Sequence, residues 1–374
     1  MNTSASKRGK SYWMRSLRAV SGLYLLAFVT LHLLNLCLGL ISLETMDAAR
    51  PYLSGVWTGA ILGPVLLIAL ATHYFLGLWS IYRRPSISGT AQDIVQALSG
   101  LVIIPLMAVH AIGVSMLKEA DVKVTYELIN RIFWLSNPGI GLTQVVLVSV
   151  VWVHGCAGLF MWLRARPGAV RVLPWLYPLA VAVPVFALLG YTQAGRVVLI
   201  EGLGPVIEQV PNTDGSDPAP VPFGLIKQVT NWTIWISVAL AVLVLAARAL
   251  RSWLASPAPV AISTQGVGQI TGYTGQSLLD AFRAQNQPHA NLCAARGRCG
   301  TCAVRILGGD SHLAAATALE QATLDRVDYG PDVRLACQLC LDERGSLEVA
   351  RVLPPDYTFE PRNDAPAPPA PVQA

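Results

Sequence analysis

Five of the chain's seven cysteines crowd between Cys293 and Cys340, and their spacing is the strongest chemical signal in the sequence. Three lie in Cys293-Ala-Ala-Arg-Gly-Arg-Cys299-Gly-Thr-Cys302, a C-x5-C-x2-C loop, and a fourth returns in Arg334-Leu-Ala-Cys337-Gln338. An odd total gathered in this way points to metal ligation rather than to a disulfide framework, and so to a reducing compartment. Thiolates are soft, electron-rich ligands, and three on one loop plus one on a returning segment can enclose a two-iron, two-sulfide cluster. Gly297 and Gly300 allow the tight, partly left-handed path that turns backbone N–H groups towards the sulfurs. The competing reading is a tetrahedral zinc site made by Cys299 with Cys302 and Cys337 with Cys340. That site leaves Cys293 and the glycine-rich loop without a role. His289 and His312 fit no ligand pattern and are expected on the surface.

A second set of ligand-type residues lies upstream. His32, His73, His110 and His154 occur once each on the first four long apolar segments, and none occurs on the fifth or sixth. Histidine within a bilayer is costly and marks a cofactor or proton path. For any single one, an interhelical hydrogen bond is the plainer alternative; four on four consecutive segments favour haem, because two neutral imidazoles complete an octahedral iron. Depth sets the pairing. Counted from the nearest cytoplasmic Arg or Asp, His73 and His154 lie about 10 residues in and His32 and His110 about 14 to 17, which at 1.5 Å per residue gives two levels. First and third helices are diagonal in an up-down bundle, as are second and fourth. His73 is therefore expected opposite His154 near the cytoplasm, and His32 opposite His110 farther out. Gly22, Gly39, Gly77, Gly113 and Gly158 give either room for porphyrin edges or ordinary close helix packing, while Cys37 and Cys156 are expected as small packing residues.

These residues must be carried by elements, and the composition says which. Hydrophobic residues make up 53% of the chain and charged residues 13%, well outside the soluble balance. Six segments, approximately 19 to 42, 57 to 82, 94 to 117, 140 to 163, 172 to 195 and 225 to 250, are long enough to cross a hydrocarbon core of roughly 30 Å as helices. Lys7, Arg8, Lys10, Arg15, Arg18, Arg83, Arg84, Arg164, Arg166, Arg171, Arg248 and Arg251 all fall on one side, which the positive-inside rule makes cytoplasmic. Both termini are then inside. The basic start, residues 1–18, has no cleavage site behind its apolar run and is not a removable signal. The formal charge of +5 forms short clusters beside apolar runs and no basic stripe, which excludes a nucleic-acid binder. Apolar character stops at Arg251, and Ala255-Ser-Pro-Ala-Pro-Val260 marks a boundary. Beyond it lie β-prone runs at Val304–Ile306 and Ser346–Val349, an amphipathic helix over Ser277 to Ala284 with Leu278, Leu279 and Phe282 on one face, and a Pro/Ala-rich tail expected to be disordered. No internal repeat of 20 to 50 residues stands out.

The cysteine loop and the Arg-Leu-Ala-Cys337-Gln-Leu-Cys340 run resemble the vertebrate-type and bacterial ferredoxins related to adrenodoxin, over about the last 95 ordered residues. That resemblance implies a β-grasp fold with ligands at Cys293, Cys299, Cys302 and Cys337, and a non-ligand cysteine at Cys340. A departure is the nearly balanced charge, with Arg296 and Arg298 inside the loop where soluble members are strongly acidic. The segment from Arg18 through His32 to Asn35, continuing to Glu44, is similar to the six-helix, fumarate-reductase- and succinate-dehydrogenase-like dihaem anchors that precede bacterial class III adenylate cyclases, over roughly residues 12 to 252. No cyclase catalytic domain is expected after Pro355, where a short tail follows.

The expected architecture is a membrane all-α six-helix bundle followed by a small α+β (β-grasp) ferredoxin domain. Its parts are a cytoplasmic segment (1–18), a dihaem cytochrome b-like domain (19–252), a linker (253–259), a 2Fe-2S ferredoxin domain (260–355) and a tail (356–374). The expected cofactors are one 2Fe-2S cluster and two haem b groups. The expected role is electron transfer or redox sensing in a bacterial inner membrane, coupling the quinone pool to an unknown cytoplasmic redox or signalling protein. The alternative is a regulatory anchor for a separately encoded adenylate cyclase or other output, without net electron flux. No catalytic site beyond the redox centres is expected, so any enzymatic role is that of an electron-transfer subunit of an oxidoreductase.

Overall fold

The computed structural model describes residues 3–83, 91–163, 171–201, 221–254, 257–293, 295–309, 313–341 and 345–357. Arg84, Arg164, Arg166, His312 and the tail beyond 357 lie outside the described residues. The chain divides into two compact units, one made by residues 1–160 and 175–256 and the other holding residues 257 onward.

The first unit runs α1 (Thr3–Cys37), α2 (Leu43–Leu53), α3 (Leu62–Tyr82), α4 (Ala91–Glu119), α5 (Tyr126–Asn130), α6 (Pro138–Leu163), α7 (Leu173–Glu201) and α8 (Phe223–Leu254). Six of these are long and apolar enough to cross a membrane, spanning Ser16–Leu40, Leu62–Tyr82, Gln92–Glu119, Pro138–Leu163, Leu173–Glu201 and Phe223–Leu254. Leu67, Ile68, Val181 and Leu243 are largely exposed on them, as suits helices that satisfy their own backbone and turn apolar side chains to lipid. The unit is a multi-pass membrane domain.

The second span starts later than hydropathy predicts. Leu43–Leu53 is a separate helix and Gly55–Thr58 a 3-10 turn, so the spanning helix begins at Leu62. Ser42 sets α2 apart: its backbone is extended and its side chain accepts from the Thr45 N–H at 3.1 Å, an N-cap. Inside the bundle, Leu33, Leu36, Met46, Val148, Trp152, Val183, Ala187 and Ala194 form the core. Trp152 donates its indole N–H to the Ala180 carbonyl at 2.7 Å. Gly39 and Gly190 let the end of α1 touch α7 backbone to backbone, since a Cβ on either would strike a carbonyl of the other segment.

The second unit is a mixed sheet in the order β2-β1-β5-β3-β4, made of β1 (Pro259–Thr264), β2 (Gly268–Tyr273), β3 (Ala303–Gly308), β4 (Val333–Leu335) and β5 (Ser346–Arg351). β1 pairs antiparallel with β2 and parallel with β5, and β3 sits antiparallel between β5 and β4. Two helices, α9 (Leu278–Ala284) and α10 (Ala318–Val327), complete it. The face of α9 that carries Leu278, Leu279 and Phe282 is buried in one core with Ile262, Val304, Leu335 and Val349. Ser277 and Thr317 cap the two helices, accepting from the N–H groups of Asp280 and Glu320 at 3.1 and 3.2 Å. This is the β-grasp arrangement expected from the sequence.

Candidate functional site

The cysteine loop leaves α9, crosses residues 293–302 and enters β3, while Cys337 follows directly on β4. Cys293, Cys299, Cys302 and Cys337 are all buried and Cys340 is exposed. Cys293 and Cys299 hydrogen-bond to one another, and so do Cys302 and Cys337. The Cys302 thiol also feels the charge of Cys293 and Cys299, so the two pairs are neighbours. Among the described residues no three His, Cys, Asp or Glu side chains converge as they do around one ion. Two adjacent thiol pairs are the kind of donor set that two irons would need.

The loop is built to hold negative charge on sulfur. Gly297 and Gly300 have φ of 62° and 80°, and Ala295 of 61°, the left-handed region that glycine enters without cost. In this path the hydrogen bond from Cys299 holds the Cys293 thiol well below its ordinary pKa, against burial, with help from the backbone N–H groups of Arg298, Cys299 and Arg296. The same contact, with burial, pushes the Cys299 thiol up. Cys337 and burial likewise push Cys302 up. Packed thiols share anionic character only sparingly without metal, and backbone donors aimed at sulfur are what an anionic iron–sulfide core requires. The residues therefore fit a 2Fe-2S cluster, which supplies a one-electron store when bound.

The supports of this loop come from elsewhere in the fold. Thr323 on α10 donates to the Gly297 carbonyl at 2.6 Å, and the Arg326 guanidinium donates to the Arg298 carbonyl. Glu320, fully buried, accepts from Arg334 at 2.9 and 3.0 Å and from the Leu335 N–H at 2.8 Å, fixing β4 two residues before Cys337. Gln338 reaches back to the Cys337 sulfur at 3.4 Å. None of these supports was picked out from sequence; the Thr-x-x-Glu cap at 317–320 is the one local signal of α10. His289 departs from the expected surface position, for it is half-buried. Its ring stacks on Phe282 with centroids 4.8 Å apart, and Nε2 lies 3.3 Å from the Cys302 carbonyl oxygen. Burial pushes its pKa down to about 4, so the neutral ring donates Nε2–H to that carbonyl.

In the helical unit the four histidines gather as two pairs. The rings of His73 on α3 and His154 on α6 stand 6.1 Å apart, and those of His32 on α1 and His110 on α4 stand 5.8 Å apart. Nδ1 of His73 lies 3.0 Å from the Arg18 carbonyl oxygen, and Nδ1 of His154 lies 3.0 Å from Ser99 Oγ. Nδ1 of His32 is buried without a hydrogen-bond partner. Phe28 stacks on His32 at 5.7 Å, and Phe133 meets His110 at 6.0 Å.

Residues 263–342, which include all five clustered cysteines, match the family model of the 2Fe-2S iron-sulfur cluster binding domain. The chain thus joins six membrane-length helices to a 2Fe-2S ferredoxin domain, an iron–sulfur electron-transfer module carried by a multi-pass membrane protein.

Proposed function

We propose that this protein carries electrons between the quinone pool of a bacterial inner membrane and a cytoplasmic protein partner, through two b haems and the 2Fe-2S cluster. His73 with His154 and His32 with His110 are the haem ligands in this reading, and Cys293, Cys299, Cys302 and Cys337 the cluster ligands. Haem held between two imidazoles supplies a six-coordinate iron that changes oxidation state without binding oxygen. Both termini face the cytoplasm, where thiolates stay reduced.

The observation that carries the reading is the spacing of the histidine rings. Two metal–nitrogen bonds of about 2 Å each, as imidazole makes to zinc, plus the distance from each nitrogen to its ring centre, come to roughly 6 Å between ring centres. The observed 6.1 and 5.8 Å support one iron between the rings of each pair. Gly77 and Gly113, one turn beyond His73 and His110, have nothing within 4 Å of where a Cβ would stand, which leaves room for a flat ring edge. On α1, Gly22 faces His73 and His32 lies ten residues on, about 15 Å along the axis. Two centres at that separation lie about half the thickness of the hydrocarbon core apart.

A pyridine haemochrome assay and a redox difference spectrum of purified full-length protein test the reading. Two haems per chain, reduced by dithionite and reoxidised by an added short-chain quinone, are expected. A protein with no dithionite-reducible bands would overturn it.

A further inference from the structure

The two histidines of the inner pair pack against the same short sequence on two other helices. α1 carries Ser21-Gly22-Leu23 with His32 after eight further residues, and α4 carries Ser99-Gly100-Leu101 with His110 after eight. Their partner helices match as well: α3 carries His73-x3-Gly77-Leu78-Trp79, and α6 carries His154-x3-Gly158-Leu159-Phe160. The repeat therefore spans two helical pairs, α1 with α3 and α4 with α6. Each pair gives one histidine to the inner level and one to the outer level, as two units related by an axis along the membrane normal would.

The contacts repeat along with the sequence. A Cβ on Gly22 would lie 2.7 Å from His73 Cε1, and one on Gly100 would lie 3.0 Å from His154 Cε1. Each ring thus rests on a glycine of its own pair. Ser21 Oγ lies 3.4 Å from His73 Nδ1, and Ser99 Oγ lies 3.0 Å from His154 Nδ1. Both serines are buried, at 5% and 9% exposure, which makes the hydroxyl protons easy to assign. Ser21 Oγ donates to the Arg18 carbonyl at 3.1 Å, and Ser99 Oγ donates to the Val95 carbonyl at 2.6 Å. With its one proton engaged on its own helix, each hydroxyl can only accept from the imidazole. His73 Nδ1 also faces the Arg18 carbonyl at 3.0 Å, and a carbonyl only accepts. Nδ1 therefore carries the proton in both rings, and Nε2 carries the lone pair. The His154 Nε2 lone pair accepts from the Gln96 amide nitrogen at 3.3 Å, which agrees with this tautomer and means that iron would have to displace Gln96.

We infer that α1–α3 and α4–α6 are two copies of one ligand-bearing helical unit, and that Ser21–Gly22 and Ser99–Gly100 are their equivalent positioning seats. The seats fix the inner histidines as Nδ1–H tautomers and so leave Nε2 as the atom that would take up iron in each ring, an outer-shell contact of the kind that orients metal-bound imidazole. His32, whose buried Nδ1 has no partner, has no such seat. The affinity and potential of the inner haem accordingly depend on the two seats. This inference rests on the dihaem reading above.

Haem titration of the haem-stripped full-length protein in detergent, with midpoint potentials of both haems in the loaded protein, tests it. Ser21→Ala and Ser99→Ala are each expected to weaken inner-haem affinity by about tenfold and to shift that haem's potential, leaving the outer haem unchanged. Ser21→Thr and Ser99→Thr, which keep the hydroxyl, are expected to restore both. Gly22→Ala is expected to weaken the inner haem more than Gly100→Ala does. Serine-to-alanine variants with wild-type affinity and potential would overturn the seats, and so would effects of Ser21→Ala and Ser99→Ala on different haems. Wild-type protein that takes up no haem would instead overturn the dihaem reading, and the seats with it.

Discussion

Cys337 and Cys340 stand three residues apart in conflicting environments, the first buried against Cys302 and the second exposed. The 2Fe-2S reading therefore assigns Cys337 as a ligand and leaves Cys340 out. Cys340→Ser is expected to keep the reduced-state paramagnetic signal intact, and Cys337→Ser to abolish or reshape it; the reverse result would move the ligand. Glu320 is expected to matter as much for folding as any cysteine does for the cluster. Its buried carboxylate answers Arg334 and the Leu335 N–H, and removing one partner of a buried ion pair costs about 3–5 kcal/mol. Glu320→Ala should lower the urea midpoint of the ferredoxin domain accordingly, followed by loss of the cluster's visible absorbance. The cysteines were legible because their chemistry is written in local spacing. Glu320 and His289 were not, because tertiary packing alone distinguishes a buried Glu or His from a solvated one.

The six spanning helices were legible for a physical reason: some twenty apolar residues in a row have few other fates. Their ends were less so, since α2 and the 3-10 turn that delay α3 to Leu62 depend on a cap at Ser42 and not on hydropathy. The π-helical segment Arg131–Ser136 was also invisible to hydropathy, although it brings Phe133 to His110. In the second unit α9 showed its apolar face, whereas α10, whose Glu320, Thr323 and Arg326 hold the loop and β4, is half polar and gave no comparable signal. The loop itself depends on Gly297. A Cβ there would lie 2.8 Å from Gln338 Cδ on a backbone at φ of 62°, a conformation that costs a non-glycine residue about 1–3 kcal/mol. Gly297→Ala is expected to reduce cluster occupancy, read as iron and acid-labile sulfide per chain; full occupancy would show that the loop relaxes without consequence.

For the whole molecule, composition alone separated a lipid-facing half from a soluble half, and the cysteine loop named the soluble half. The pairing of the histidines needed one step more, because level and diagonal position follow from charge placement and helix order together. The same charges predict the topology. Reporter fusions at Met1 and after Ala374 are both expected to be active only in the cytoplasm, and a periplasmic C-terminus would place the thiol loop in an oxidising compartment. Haem content per protein in the four single variants His32→Ala, His73→Ala, His110→Ala and His154→Ala tests the central claim most directly. Each is expected to lose one haem of two, with His73 and His154 removing the same spectral species and His32 and His110 removing the other. Four variants that all retain two haems, or losses grouped in any other pairs, would contradict it.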